Sequence, residues 1–218
     1  MKQGASEIVI LKPTRVFLAF LSSQLPEYRF PSMALLQKDN TAYVIAKRNS
    51  VSSTLNELEQ HFSLMFRHEI SRWLGENARN EIEHSFFNFM CCFKLELHSH
   101  IILMEPALKE GGQIIVIKPR QALFNWIKSL VEDDDGLTAI MEKINLSHLT
   151  ENSTILVKNF SALAAIKPFI QRYYKPLFTT LMGRISNKEK QWPVVDSYAS
   201  FCKYFVIEIH TQLIHMHC

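Results

Sequence analysis

The chain has 218 residues, of which 24 are basic, 21 acidic and 47% hydrophobic. Those proportions are globular and exclude disordered, collagen-like and coiled-coil classes. A net charge of +3 is too small to drive nucleic-acid binding by itself.

Ile8–Leu11 and Val16–Leu21 are apolar, but Lys12, Pro13 and Arg15 divide them into runs too short for a secretory core. The most apolar long stretch, Phe86–Met104, carries Lys94, Glu96, His98 and His100, too much charge for a lipid-spanning helix. Cys91, Cys92, Cys202 and Cys218 form no Cys-x-x-Cys pair, which removes zinc-ribbon and thioredoxin-type readings. Adjacent cysteines on a strand point to opposite faces, so reduced thiols are expected. The expectation is a soluble cytoplasmic protein without a cofactor.

In chain order, Glu7–Lys12 is an apolar run stopped by Pro13 and reads as a buried strand. Val16, Phe17, Phe20 and Leu21 then fall at helical spacing behind Thr14 as cap. Met33–Leu36 and Ala42–Ala46 flank an Asp-Asn turn and predict a hairpin. Thr54-x-x-Glu57 reads as a capping box, followed by the stripe Leu58, Phe62, Met65, Ile70 and Trp73, with Gly75 at the C′ position. Phe86, Phe89, Met90 and Phe93 are spaced as on a short helix. From Phe93 onward apolar and polar residues alternate, as on a strand. A single long helix is the alternative there.

The second half repeats this pattern. Ile8–Pro13 returns as Ile114–Pro119, 106 residues later. The series Phe89, Phe93, Glu96, His98, Ile102, Met104 returns as Phe201, Phe205, Glu208, His210, Ile214, Met216, 112 residues later. The same offset carries Tyr43-Val-Ile onto Ile155-Leu-Val and Phe66 onto Phe178. A six-residue insertion at the acidic stretch Glu132–Gly136 accounts for the difference. Leu123, Phe124, Ile127 and Leu130 match the first helix, and residues 161–185 match the long one, with Pro176 as a kink.

The order β-α-β-β-α-β suits a ferredoxin-like α+β unit with an extra short helix before the last strand. The chain thus reads as a tandem duplication of that unit, the first repeat being residues 1–106 and the second 107–218. A period near 110 is too long for a solenoid.

Glu96 and His98, and again Glu208 and His210, project from one strand face at i, i+2 spacing. Carboxylate beside imidazole can bind a small ligand, hold a metal or form an acid–base pair. It is equally what a polar sheet face or a packing interface between repeats contains. His68-Glu69-x-x-Arg72 begins like a zinc-protease helix, but Arg stands where the second ligand belongs. His215-Met-His217-Cys218 offers soft-metal donors on a tail. No Gly-x-Ser-x-Gly and no phosphate-cradling glycine loop is present. Lys167, Arg172, Lys175, Arg184, Lys188 and Lys190 make the second long helix and its following loop basic, beside Tyr173, Tyr174 and Trp192. Copy one instead places Glu57, Glu59, Glu69 and Glu76 on the matching helix.

The expected function is non-enzymatic binding of a protein or small ligand in the groove between repeats, with Glu96, His98, Glu208 and His210 as the candidate ligand-binding residues and a homodimer through exposed edges as the candidate assembly. The alternatives are a metal-dependent or acid–base enzyme built on those Glu-x-His pairs, and weak nucleic-acid binding through the basic second repeat.

Overall fold

The computed structural model describes residues 6–75, 85–104, 112–130, 143–150 and 153–216. The acidic stretch Glu132–Gly136, Glu76 and the final His217-Cys218 lie outside them. The chain runs β1 (Ser6–Pro13), α1 (Arg15–Gln24), α2 (Met33–Leu36), β2 (Thr41–Ala46), α3 (Val51–Leu74), α4 (Phe86–Cys92), β3 (Phe93–His98), β4 (Ile101–Leu103), β5 (Gln113–Pro119), α5 (Gln121–Ser129), α6 (Leu146–Thr150), β6 (Thr154–Lys158), α7 (Ile166–Ile185), α8 (Tyr198–Tyr204), β7 (Phe205–His210) and β8 (Gln212–His215). This is an α+β protein with two four-stranded mixed sheets, and no described helix is long and apolar enough to cross a membrane.

Local chemistry accounts for most boundaries. The Thr14 hydroxyl accepts from Val16 N–H at 3.2 Å and starts α1. Gly75 closes α3 at φ +80°, a conformation that glycine adopts without steric cost. Two expectations need correction. Met33–Leu36 is one helical turn rather than a strand, because four apolar residues carry no decisive period. The expected β-α-β-β-α-β order therefore lacks its second strand. Helix α3 begins at Val51, capped by the Ser50 hydroxyl, which accepts from Ser53 N–H at 3.1 Å. Thr54 is already inside the helix and donates back to the Ser50 carbonyl at 3.2 Å. The 86–104 segment is the expected short helix followed by strand, not one long helix.

Contacts divide the chain into two compact units. The first holds the described residues up to Ser99, residues 112–114 and Ile209 onward; the second holds residues 100–104 and 115–208. The first unit's sheet has the order β3-β1-β2-β8, with β1 antiparallel to β2 and β3, and β8 parallel to β2. Strands β1 and β2 are buried along almost their whole length. Phe17, Phe66, Phe89 and Phe93 form the aromatic centre of the core, joined by Leu58, Met65 and Ile70 of α3.

The second unit's sheet has the order β4-β6-β5-β7, with β4 parallel to β6. Its core contains Ile115, Ile117, Leu156, Ile170, Met182, Phe201 and Phe205. Each sheet therefore takes three strands from one half of the sequence and one from the other. Strand β3 continues through Ser99-His100 into β4 of the second sheet, and β7 through Thr211 into β8 of the first.

Several bonds recur at the sequence offset. Thr14 N–H donates to Cys92 O at 2.9 Å, and Arg120 N–H to Tyr204 O at 2.8 Å. Met216 N–H donates to Val44 O at 3.0 Å, and Met104 N–H to Val157 O at 3.1 Å. Ser85 caps α4 and Ser197 caps α8. In the parallel strand pairs β4 and β8 keep the offset of 112 while β2 and β6 are related by 113, since Tyr43 lies opposite Ile214 and Leu156 opposite Ile102, so Tyr43 corresponds to Leu156 rather than to Ile155.

Thr14 differs from Arg120 in what its side chain does. Its hydroxyl also donates to Cys91 O at 2.7 Å, tying α1 to the end of α4. Arg120 makes no side-chain cap bond. Thr14→Val keeps the shape and deletes both hydroxyl bonds, so it should cost about 1–2 kcal/mol, read as a lower urea midpoint at unchanged slope.

Candidate functional site

The four residues singled out from the sequence lie on β3 and β7. His98 is fully buried across from Ile8 of β1, with Nε2 3.7 Å from Glu96 Oε2. His210 is fully buried in the first unit, where Nδ1 accepts the backbone N–H of Asn40 at 3.0 Å. Glu208 belongs to the second unit and accepts from Lys118 Nζ of β5 at 2.8 Å. Glu96, His98 and His210 are thus placed in one unit and Glu208 in the other. Among the described residues, no group of three or more His, Cys, Asp or Glu could hold a metal ion.

A different polar cluster stands where β2 starts, against the last turns of α3. The Tyr43 hydroxyl donates to Glu69 Oε1 at 2.9 Å and lies 3.3 Å from His68 Nδ1. Glu69 is 1% exposed. Burial pushes its carboxyl above the usual glutamate range, against the Thr41 hydroxyl, the Arg72 charge and the Tyr43 hydroxyl, which pull it down. Burial likewise holds the Tyr43 phenol well above its ordinary value, assisted by the Glu69 charge. Arg72 Nη2 donates to Asp39 O at 2.7 Å and lies 3.6 Å from Asp39 Oδ2, while Nη1 lies 3.4 Å from Thr41 Oγ1.

The same cluster fastens β8. The Thr41 hydroxyl donates to Gln212 Oε1 at 3.2 Å, and the Asp39 carboxylate accepts both Thr211 N–H at 2.8 Å and the Thr211 hydroxyl at 2.7 Å. His68, Glu69 and Arg72, which failed as a zinc motif, are therefore members of one partly buried network that secures a strand.

The second unit keeps part of this arrangement and replaces the rest. Thr154 opens β6 as Thr41 opens β2. Arg184 follows Arg72 by 112 residues, and His100 precedes Gln212 by the same number. Arg184 Nη1 donates to Thr154 Oγ1 at 2.9 Å, and His100 Nδ1 lies 2.9 Å from the same oxygen. At the matching offsets, Glu69 gives way to Leu181, His68 to Thr180 and Tyr43 to Leu156.

Beside these residues lies a cavity of about 220 Å³, lined by the apolar Ile117, Pro119, Leu123, Leu149, Leu181, Ile185 and Phe205 and the polar His148, Ser153, Thr154 and Arg184. Among the described residues Arg184 has no carboxylate partner, and partial burial lowers its pKa. His100 is held below the ordinary histidine value by burial and then by the Arg184 charge, so it is neutral at pH 7. His148 Nδ1 accepts Asn145 N–H at 3.1 Å, which puts the proton of the neutral ring on Nε2. The cavity therefore offers an apolar interior, one cation and hydroxyl and imidazole partners.

In the sequence Arg184 is one of six basic residues on the second long helix and its following loop, and nothing there singles out Thr154. The recurrence of Arg72 as Arg184 was the available signal. Comparison of the chain with known protein families, curated proteins and solved structures returned no match.

Proposed function

We propose that the chain is a non-enzymatic binding protein whose ligand occupies the cavity beside Arg184 and Thr154 in the second unit. One observation carries this reading. The first unit fills its Arg–Thr corner with Tyr43, Glu69 and Asp39, whereas the second retains Arg184 and Thr154 beside an apolar cavity. An arginine kept at such a place without a described carboxylate supports a ligand that supplies one. The volume is below that of drug-sized sites and equals about seven water volumes, so the ligand is small.

Residues 1–106 and 107–218 are on this reading two copies of one ferredoxin-like ancestor that have diverged at this corner. The recurring backbone bonds and serine caps support common descent. On this reading Glu96 with His98, and Glu208 with Lys118, belong to the frame.

The reading is tested by calorimetry and thermal shift with small aromatic and aliphatic compounds. A ligand at a hundredfold excess over Kd should stabilise the protein by about 2.7 kcal/mol. Leu181→Trp, which fills the cavity, should abolish that shift while leaving the spectrum of the folded protein intact. Equal shifts in the parent chain and Leu181→Trp would place binding elsewhere and end this reading.

A further inference from the structure

We infer that the cavity of the second unit is selective for a small monocarboxylate, whose head is held by Arg184 and Thr154 and whose body lies on Leu123, Leu181 and Phe205. This rests on the cavity being a ligand site and adds the chemical class of the ligand.

The charge at the corner sets the class. Arg184 contributes one positive charge, and His100, which meets the same Thr154 hydroxyl, is held toward its neutral form by burial and then by that charge. His148, with Nδ1 already accepting, offers its Nε2 side as a single further hydrogen-bonding atom. One cation with neutral donors balances one negative charge, not the two of a phosphate monoester. Phosphate sites gather several backbone N–H groups or more than one cation, and the polar lining here is Ser153, Thr154, His148 and Arg184 alone among the described residues.

Geometry agrees. Arg184 Nη1 is committed to the Thr154 hydroxyl, which fixes the plane of the guanidinium and leaves its other N–H groups for a carboxylate. The first unit provides an internal precedent. There the equivalent Arg72 meets the Asp39 carboxylate at 3.6 Å, and that carboxylate also takes a hydroxyl and a backbone N–H from Thr211. Arg184 is exposed as a residue and its guanidinium is only in part desolvated, so solvent screens the charge-assisted bond it offers. The seven aliphatic and aromatic side chains around the cavity exclude a body as polar as a sugar.

The test compares benzoate and hexanoate with benzyl alcohol, hexan-1-ol and phenyl phosphate, titrated into the full chain at pH 7 and followed by calorimetry. The carboxylates should bind about tenfold to hundredfold more tightly than the matching alcohols, as a charge-assisted bond requires. Arg184→Gln should remove that preference, and Arg184→Lys should restore part of it. Alcohols binding as well as carboxylates would overturn the carboxylate assignment while the cavity reading survives. Phenyl phosphate binding more tightly than benzoate would overturn it in favour of a dianion. Absence of binding by every probe would overturn both. Circular dichroism and the thermal midpoint establish that each variant is folded before its titration is read.

Discussion

Phe93→Ala should destabilise the first unit by about 3–5 kcal/mol, the largest single-residue loss expected in the chain. Phe93 is the first residue of β3 and is buried. Its ring centroid lies 4.6 Å from that of Phe17, 5.4 Å from Phe89 and 5.9 Å from Phe66. Truncation removes the transfer free energy of the ring and leaves a void that three other rings, each held by a separate helix, cannot close together. Phe93→Leu retains most of the volume and should cost less than half as much. Urea unfolding monitored by far-UV circular dichroism reads both values. A loss below about 1 kcal/mol for the alanine variant would mean that the aromatic cluster does not carry the core.

Arg72→Met should cost about 2–3 kcal/mol at pH 7, and the cost should shrink on acidification. The field of Arg72 favours ionised Glu69, and Arg72 also donates to the Asp39 carbonyl and approaches Thr41. Its ion pair with the half-exposed Asp39 adds little, because solvent screens it. The sign of the pH effect follows from proton uptake. Glu69 has a folded pKa above its ordinary 4.5, so the native state holds its proton more tightly than the unfolded chain. The stability this supplies is complete below about pH 4.5 and is lost as pH rises through the folded value. Removing Arg72 raises the folded value further, so the variant is penalised most where Glu69 would otherwise be ionised. Glu69→Gln in the Arg72→Met background should flatten the difference between pH 4.5 and pH 7. A cost independent of pH in both backgrounds would show that Arg72 acts through packing and hydrogen bonds alone.

How far the sequence could be read depended on whether the determining interaction was local. Thr14 as a cap, Gly75 as a stop and the Phe86–Cys92 helix running into a strand depend on neighbours within a few residues, and these were legible. Ser50 was missed because Thr54-x-x-Glu57 satisfies the same capping pattern four residues on, and only the fold shows Glu57 buried beside Arg48 instead. The Met33–Leu36 turn was missed because its four apolar residues fit a helix and a strand equally. Burial of His98 and His210 was hidden by strand alternation, which separates two faces but does not say which faces are covered. The exchange of last strands was out of reach, since an apolar run does not name its pairing partner. For the site, offset comparison reached the Glu and His pairs because whole motifs repeat there. Arg184 and Thr154 repeat as single residues among changed neighbours, and only their 2.9 Å contact separates them from surface polarity.

The parallel pairing of β2 with β8 bears on how the protein is made. Thr41 meets Gln212 across 171 residues, while Thr154 meets His100 across only 54. At about 5–20 residues per second, a ribosome that has just released β2 needs on the order of ten to thirty seconds more to deliver its edge partner. During that interval β2, buried in the finished molecule from Thr41 to Ile45, offers an unpaired apolar edge to any other extended chain nearby. The second sheet closes its parallel pair over a much shorter loop and so at lower entropic cost. Nascent chains stalled beyond β2 and short of Gln212 should therefore be the species most dependent on chaperones, and the sheet synthesised first should be the last to close.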